Sequence, residues 1–187
     1  MISVKPGSRT DIVGETGIGK STLIRLILSL LKPNGGEIRI YNESESRVTS
    51  ALTRNNLVYV PQGNTLFSGT VRENLLMGDP EAGDRQMWAV LDVAEAGFVR
   101  SLPGGLDARI GEIGAGLSEG QAQRIAIARG LLRPGSILLL DEFSSSLDQE
   151  TERRLLKNLS ENYGNKTIIF ITHRDAVLDY CDAVLRL

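Results

Sequence analysis

At 187 residues, 41% apolar and 24% charged, the chain has enough apolar material for one compact unit or two small lobes. Its 21 basic and 23 acidic side chains leave a net charge of −2 with no Lys/Arg run, so nothing points to a nucleic-acid partner. One cysteine, Cys181, excludes an internal disulfide and fits a reducing compartment.

Met1 to Arg9 is short and polar, turns at Pro6-Gly7, and lacks the apolar centre of a signal peptide. The longest apolar stretch, Leu23 to Leu31, carries Arg25 and falls short of the roughly 20 residues a bilayer span needs. The chain is therefore expected to be soluble, with any membrane link made through a partner or a further segment. Thr10 to Val13 reads as a parallel strand running into Gly14-Glu15-Thr16-Gly17-Ile18-Gly19-Lys20-Ser21, with Thr22 behind it. That octet fits G-x-x-x-x-G-K-[ST], a loop whose backbone N–H groups surround a polyphosphate. A helix over Ser21 to Leu31, with Leu23, Ile24, Ile27, Leu30 and Leu31 at helical spacing, would turn its positive end to the same anion. In this pattern Lys20 reaches the outer phosphates and the Ser21 hydroxyl ligates magnesium.

Lys32 to Gly36 stops that helix, Glu37 to Tyr41 reads as a strand, and Asn42 to Val48 as a polar loop. Leu57 to Val60 is a second apolar strand, punctuated by Pro61 and running into Gln62. Thr70-Val71-Arg72-Glu73 is a capping box that opens a helix to about Met77. A further helix is expected from Asp84 to Ala96, closed by Gly97, with Trp88 and Leu91 on its packed stripe. Ile137 to Leu140 is a continuous apolar run, suited to a strand covered on both faces. Asp148 caps a helix to about Asn162 in which Glu150 and Arg154 sit at i,i+4. Thr167 to Ile171 is another buried strand, followed by a short helix to Tyr180 and a last strand from Ala183 to Leu187.

Three later stretches carry chemistry. Open α/β sheets bind ligands at the carboxyl ends of their strands, where the apolar run delivers Asp141 and Glu142. Adjacent carboxylates on extended chain point different ways, so one can serve a metal and the other a water. Leu117-Ser118-Glu119-Gly120-Gln121 contains a second capping box and presents an exposed hydroxyl at a helix start.

With these stretches together, the chain resembles the nucleotide-binding domain of an ABC transporter over nearly its whole length. The Leu117–Gln121 stretch matches that family's signature, with Glu119 where glycine is usual. The resemblance implies an α/β P-loop NTPase of RecA-like type: a mostly parallel sheet flanked by helices, with an inserted α-helical signature lobe. Residues 1–62 and 134–187 would form the α/β core and 63–133 the helical lobe. It makes Gln62 a magnesium ligand that senses the lobe, Asp141 the metal-side aspartate, Glu142 the catalytic glutamate and His173 the switch histidine. Ser145-Ser146-Leu147-Asp148 resembles the loop joining the two sites of a head-to-tail dimer, whether homodimer or heterodimer. ATP with Mg²⁺ on Gly14 to Thr22 of one subunit would then be covered by Ser118 and Gly120 of the other. Residues 59–74 and Ile110-Gly111-Glu112-Ile113-Gly114 are similar to exporter-type domains, the second to the segment that touches the membrane domain. The implied setting is the cytoplasmic face of a membrane, through a transmembrane domain fused or separate.

The family's adenine-stacking aromatic is expected well upstream of the phosphate loop, yet only 13 residues precede Gly14 and none is aromatic. The chain reads as truncated at both ends, with nucleotide held mainly by its phosphates. Two alternatives remain at this point: a soluble, non-transport ABC ATPase, or a truncated module that binds nucleotide weakly without hydrolysing it.

Overall fold

A computed structural model describes residues 2–15, 17–111 and 116–187. Its centre is a five-stranded sheet built from β1 (Arg9–Val13), β4 (Leu57–Val60), β7 (Ile137–Asp141), β8 (Thr167–Ile171) and β9 (Ala183–Arg186). All five run parallel, in the order β4-β7-β8-β1-β9. β7 lies between β4 and β8, and Leu138, Leu139 and Leu140 are each at most 1% exposed, which is why its sequence does not alternate. Successive side chains feed opposite faces. Leu57, Leu139, Ile169 and Ile171 join Ile12, Ile24 and Leu28 beneath α1 (Lys20–Ile27). Val58, Leu138, Leu140, Ile168 and Phe170 face the other way, into one apolar body with α4 (Glu119–Leu132) and α5 (Gln149–Asn162). α2 (Val71–Leu76) and α3 (Asp84–Val93) extend that body through Leu75 and Leu91.

Local chemistry sets several boundaries. Thr70 Oγ1 accepts from the Glu73 amide at 3.0 Å and the Thr70 amide donates to Glu73 Oε2 at 2.7 Å, completing the capping box of α2. Asp148 starts α5 by accepting from the Thr151 amide at 2.9 Å. Three expectations need correction. The first helix stops at Ile27 rather than Leu31: Ser29 turns left-handed (φ 53°), and Arg54 donates to the Leu28 and Ser29 carbonyls, each at 2.8 Å. The helix expected to reach Ala96 stops at Val93, because Glu95 also adopts positive φ (56°). Residues 42–48 are not simply loop: β3 (Ser46–Val48) pairs antiparallel with β2 (Arg39–Tyr41) across a turn in which Asn42 Oδ1 accepts the Ser44 and Glu45 amides. A further two-stranded pair joins β5 (Gly69–Thr70) to β6 (Arg109–Ile110). Residues Asp175 to Tyr180 form a 3₁₀ segment.

Leu139 is sealed inside the sheet's α1 face, so Leu139→Ala is expected to cost about 2–5 kcal/mol. Urea unfolding would register this as a lowered midpoint with an unchanged slope.

Candidate nucleotide site

Because every strand of the central sheet runs the same way, the turns after β1, β4, β7 and β8 share one edge. That edge receives Gly14, Gln62, Glu142 and His173. After β1 the chain enters the glycine loop, where Gly17 (φ 89°) and Gly19 (φ 112°) hold left-handed conformations that a side chain would oppose. Gly14 is confined for another reason: a Cβ there would lie 2.9 Å from Ile18 Cγ2. Gly19 precedes α1 without any side-chain cap and no acid occupies the first turn, which leaves that turn's N–H groups for an external anion. Ser21 and Thr22 are exposed at this end. Lys20 folds back, its ammonium donating to the Gly14 carbonyl at 2.6 Å and the Glu15 carbonyl at 3.3 Å. Thr16 lies outside the described residues.

Facing this cation is a group of acids. Asp141 ends β7, and its Oδ2 accepts the Tyr59 hydroxyl at 3.0 Å. Burial raises the Asp141 pKa, opposed by the Tyr59 hydrogen bond and the Lys20 charge. Glu142 steps off the strand in a left-handed conformation (φ 43°), its amide donating to the Ile171 carbonyl at 2.8 Å. Its side chain is 10% exposed, and Oε1 lies 3.1 Å from His173 Nδ1. Burial raises the Glu142 pKa first and Asp141 adds to this, while His173, Lys20 and Arg174 pull it down. Burial, followed by the Asp141 charge, also pushes the Tyr59 phenol up to about 12.

Asp11 on β1 was not among the expected site residues. It is 1% exposed, its Oδ1 has no hydrogen-bond partner, and burial pushes its pKa to about 6. Hydrogen bonds from the Thr172 and Ile12 backbone pull the other way, Glu142 reinforces the rise and Lys20 opposes it. An aspartate in the middle of a strand expected to be parallel, next to Ile12 and Val13, is the signal that could have drawn attention to it. Tyr59 carried no such signal, because its contact with Asp141 depends on β4 lying beside β7.

Leu117 to Gln121 stand at the start of α4. Ser118 caps α4, its Oγ accepting the Gln121 amide at 3.2 Å while its own amide donates to Gln121 Oε1 at 2.9 Å. Ser118 and Glu119 are exposed, Leu117 is half-buried and Gly120 is buried. A Cβ on Gly120 would stand 2.7 Å from the Ser146 carbonyl, so the start of α4 rests directly on the loop after β7. The Asp148 carboxylate is engaged in its own helix cap, accepting the Thr151 hydroxyl at 2.7 Å as well as the amide. Gln62 is exposed two residues beyond β4, and the neighbouring Pro61 carbonyl accepts from Gln123 of α4 at 3.3 Å. Of the exporter-like segment 110–114, residues 112–114 fall outside the described set.

The donors available to a divalent cation are hard oxygens: the Ser21 hydroxyl, the Gln62 amide and the Asp141 carboxylate. Among the described residues no cluster of three or more acidic, histidine or cysteine side chains forms a protein-only cage. Few carboxylates, with the rest of the shell supplied by phosphates, is the habit of Mg²⁺, so the residues fit that ion. A separate apolar cleft of about 540 Å³, lined by Val4, Leu23, Ile27, Ile40 and Leu185, contains neither Lys20 nor the acids.

A parallel sheet that delivers a glycine loop, a lysine-headed helix and an acidic strand end to one edge defines a P-loop NTPase. A family profile described as ABC transporter matches residues 1–145, and the chain belongs to that family. It is 40% identical over 184 residues to ATP-binding cassette sub-family C member 10 of Mus musculus, covering 97% of the chain and 12% of that protein. It is 38% identical over 186 residues to a probable multidrug resistance ABC transporter ATP-binding/permease protein of Bacillus subtilis, covering 98% and 32%. In three dimensions it is similar to a bacterial Atm1-family ABC exporter solved with ATP bound, with a TM-score of 0.86, 34% identity, and coverage of 97% and 32%. The chain thus spans about a third or less of these relatives. The family is ATP-binding, and the Bacillus subtilis relative is an ATP-binding/permease protein.

Asp11 gives the fold a pH dependence whose sign follows from its raised pKa. The unfolded chain loses this proton near pH 3.8, the folded chain only near 6. The stability contributed by the neutral acid is therefore complete below about pH 3.8 and is lost as pH rises through about 6. Asp11→Asn abolishes that loss, worth about 3 kcal/mol. Thermal melts should place the variant about 5–10 °C above wild type at pH 7.5, with the two converging near pH 4.

Proposed function

We propose that the chain is the ATP-hydrolysing module of an ABC exporter, working as a head-to-tail pair. The observation that carries this reading is the meeting of Lys20, Asp141 and the Glu142–His173 contact at one sheet edge, with Ser118 exposed on a separate helix start. In this reading Gly14, Glu15, Thr16, Gly17, Ile18 and Gly19 wrap the β- and γ-phosphates with backbone N–H groups. Lys20 exchanges two neutral carbonyl partners for the phosphate anion. Ser21, Gln62 and Asp141 would hold Mg²⁺, which supplies neutralising charge on the phosphate oxygens, and Thr22 completes the loop's hydroxyl pair. Tyr59 orients Asp141 through its hydroxyl.

Glu142 is the general base. Burial raises its pKa and makes it a better proton acceptor, and His173 keeps its carboxylate turned toward the site while reaching the γ-phosphate. Water attacks the γ-phosphorus in line with the departing ADP oxygen, and the water proton passes to Glu142. Leu117, Ser118, Glu119, Gly120, Gln121 and Asp148 of the second subunit close over the triphosphate. Ser118 and the amides at the start of α4 supply further donors to the developing charge.

Residues 63–133 then act as a lobe that moves with nucleotide, with Gln62 at its junction. Opening and closing of the pair drives a transmembrane domain at the cytoplasmic face of a membrane. Support for that placement comes from the ATP-binding/permease relative of Bacillus subtilis; among the described residues no helix is long and apolar enough to cross a bilayer.

Glu142→Gln is expected to abolish phosphate release while retaining Mg-ATP, so light scattering should find dimers only with nucleotide. Monomers at saturating Mg-ATP, or unchanged turnover, would refute the proposal. Glu119, exposed in the first turn of α4, stabilises its own helix by about 0.3–1 kcal/mol but brings negative charge toward the partner's triphosphate. Glu119→Gly should therefore leave ATP-driven dimerisation equal or stronger; a weaker dimer by the same measurement would contradict this.

A further inference from the structure

The residue after His173 closes a ring of contacts that the proposed chemistry does not use. Arg174 Nη1 donates to the Leu147 carbonyl at 3.0 Å and to Glu152 Oε2 at 3.1 Å, and Nη2 donates to the Ser145 carbonyl at 3.0 Å. The Glu152 side chain, on α5, is 2% exposed, and its other oxygen accepts the Ser144 hydroxyl. On the opposite side of the ring the Arg174 amide donates to Thr172 Oγ1 at 3.2 Å. The Ser145 amide donates to the Glu142 carbonyl at 3.2 Å, and the Glu142 amide to the Ile171 carbonyl at 2.8 Å. Residues 142–147 and 171–174 are thereby tied to each other at both ends.

Guanidinium geometry gives this arrangement its stiffness. The donors sit in one plane with fixed angles, so Ser145, Leu147 and Glu152 are set relative to one another, which a single ammonium could not do. Glu142 needs such a setting. Its left-handed backbone is unfavourable for a residue with a Cβ and persists only where the surroundings over-determine it. We propose that Arg174, seated by Glu152, is a positioning residue for Glu142. It fixes the Glu142–Leu147 loop against the His173 turn and so holds the Glu142 carboxylate beside the imidazole. The catalytic meaning of this contact rests on the assignment of Glu142 as general base.

The test uses the whole chain carrying Glu152→Gln, which keeps the shape of the side chain and removes the charge that seats Arg174. The sequence has one histidine, so the His173 ring gives one Cε1–H proton resonance free of overlap. That resonance is expected to move in Glu152→Gln while the melting temperature stays within about 5 °C of wild type. A folded variant with the resonance unmoved overturns the proposal, whether or not the chain hydrolyses ATP. Should Glu152→Gln fail to fold, Arg174→Lys, which keeps the charge but lacks the fork, takes its place: a moved resonance supports the proposal and an unmoved one overturns it. In turnover, either variant is expected to lower kcat about tenfold with KM for ATP within about twofold. A rise in KM with kcat intact overturns the positioning role. Wild-type turnover insensitive to Glu142→Gln would instead refute the base assignment, leaving the His173 resonance to decide whether Arg174 holds the contact.

Discussion

The shared direction of β4, β7, β8 and β1 is the constraint on which everything else in the molecule depends. Parallel strands need crossover connections, and each crossover here returns the chain to the same starting edge. The opposite edge therefore collects four strand exits, and the acid, the lysine loop, the glutamine and the histidine are all exit residues. A one-residue slip of β7 against β8 would turn Leu138 and Leu140 toward α1 and Leu139 toward α5. The same slip would carry Asp141 away from Ile171, and with it the backbone bond that places Glu142. Core packing and site geometry are thus two consequences of one register.

That edge is electrostatically unbalanced. Asp11, Asp141 and Glu142 are all at least half-buried and all shifted upward by burial, while Lys20 is the cation that opposes each of them. Lys20 satisfies its ammonium on main-chain carbonyls rather than on any of these acids. The surplus of buried negative charge suits a site completed by a hard cation and disfavours a bare anion approaching the acids directly. The glycine loop holds that ammonium, and the uncapped N–H groups at the start of α1 add positive potential there without a formal charge.

Features fixed by neighbours in sequence were legible in advance. The glycine loop could be read because Gly17 and Gly19 hold backbone angles that other residues avoid. The starts of α2, α4 and α5 could be read because Thr70, Ser118 and Asp148 each bond within three residues. β7 was plain from its unbroken apolar run. What escaped was decided at a distance. The end of α1 depends on Arg54, some 25 residues on, and the contact of Tyr59 with Asp141 depends on which strands are adjacent. The ring through Arg174 and Glu152 requires the turn after β8 to meet the turn after β7, a matter of strand order that periodicity does not encode. The strand expected over Glu37 to Tyr41 is there as β2, but its partner β3 escaped because Ser46, Arg47 and Val48 are all exposed and carry no apolar face.

Gly120 shows how two demands can fall on one atom. Its bare α-carbon lets the Ser146 carbonyl settle against the head of α4, and it lies buried two residues from the exposed Ser118 that the proposed pair would turn toward the opposing nucleotide. Any side chain there would first pry the helix off the loop that leads back to Glu142, damaging a site in its own subunit. Under the proposed function, a dead variant at Gly120 would therefore have two readings: a lost contact with the facing triphosphate, or a proposed hydrolytic centre dislodged from within. If the chain pairs as proposed, mixed pairs in which only one copy carries the change would separate the two by showing which site falls silent.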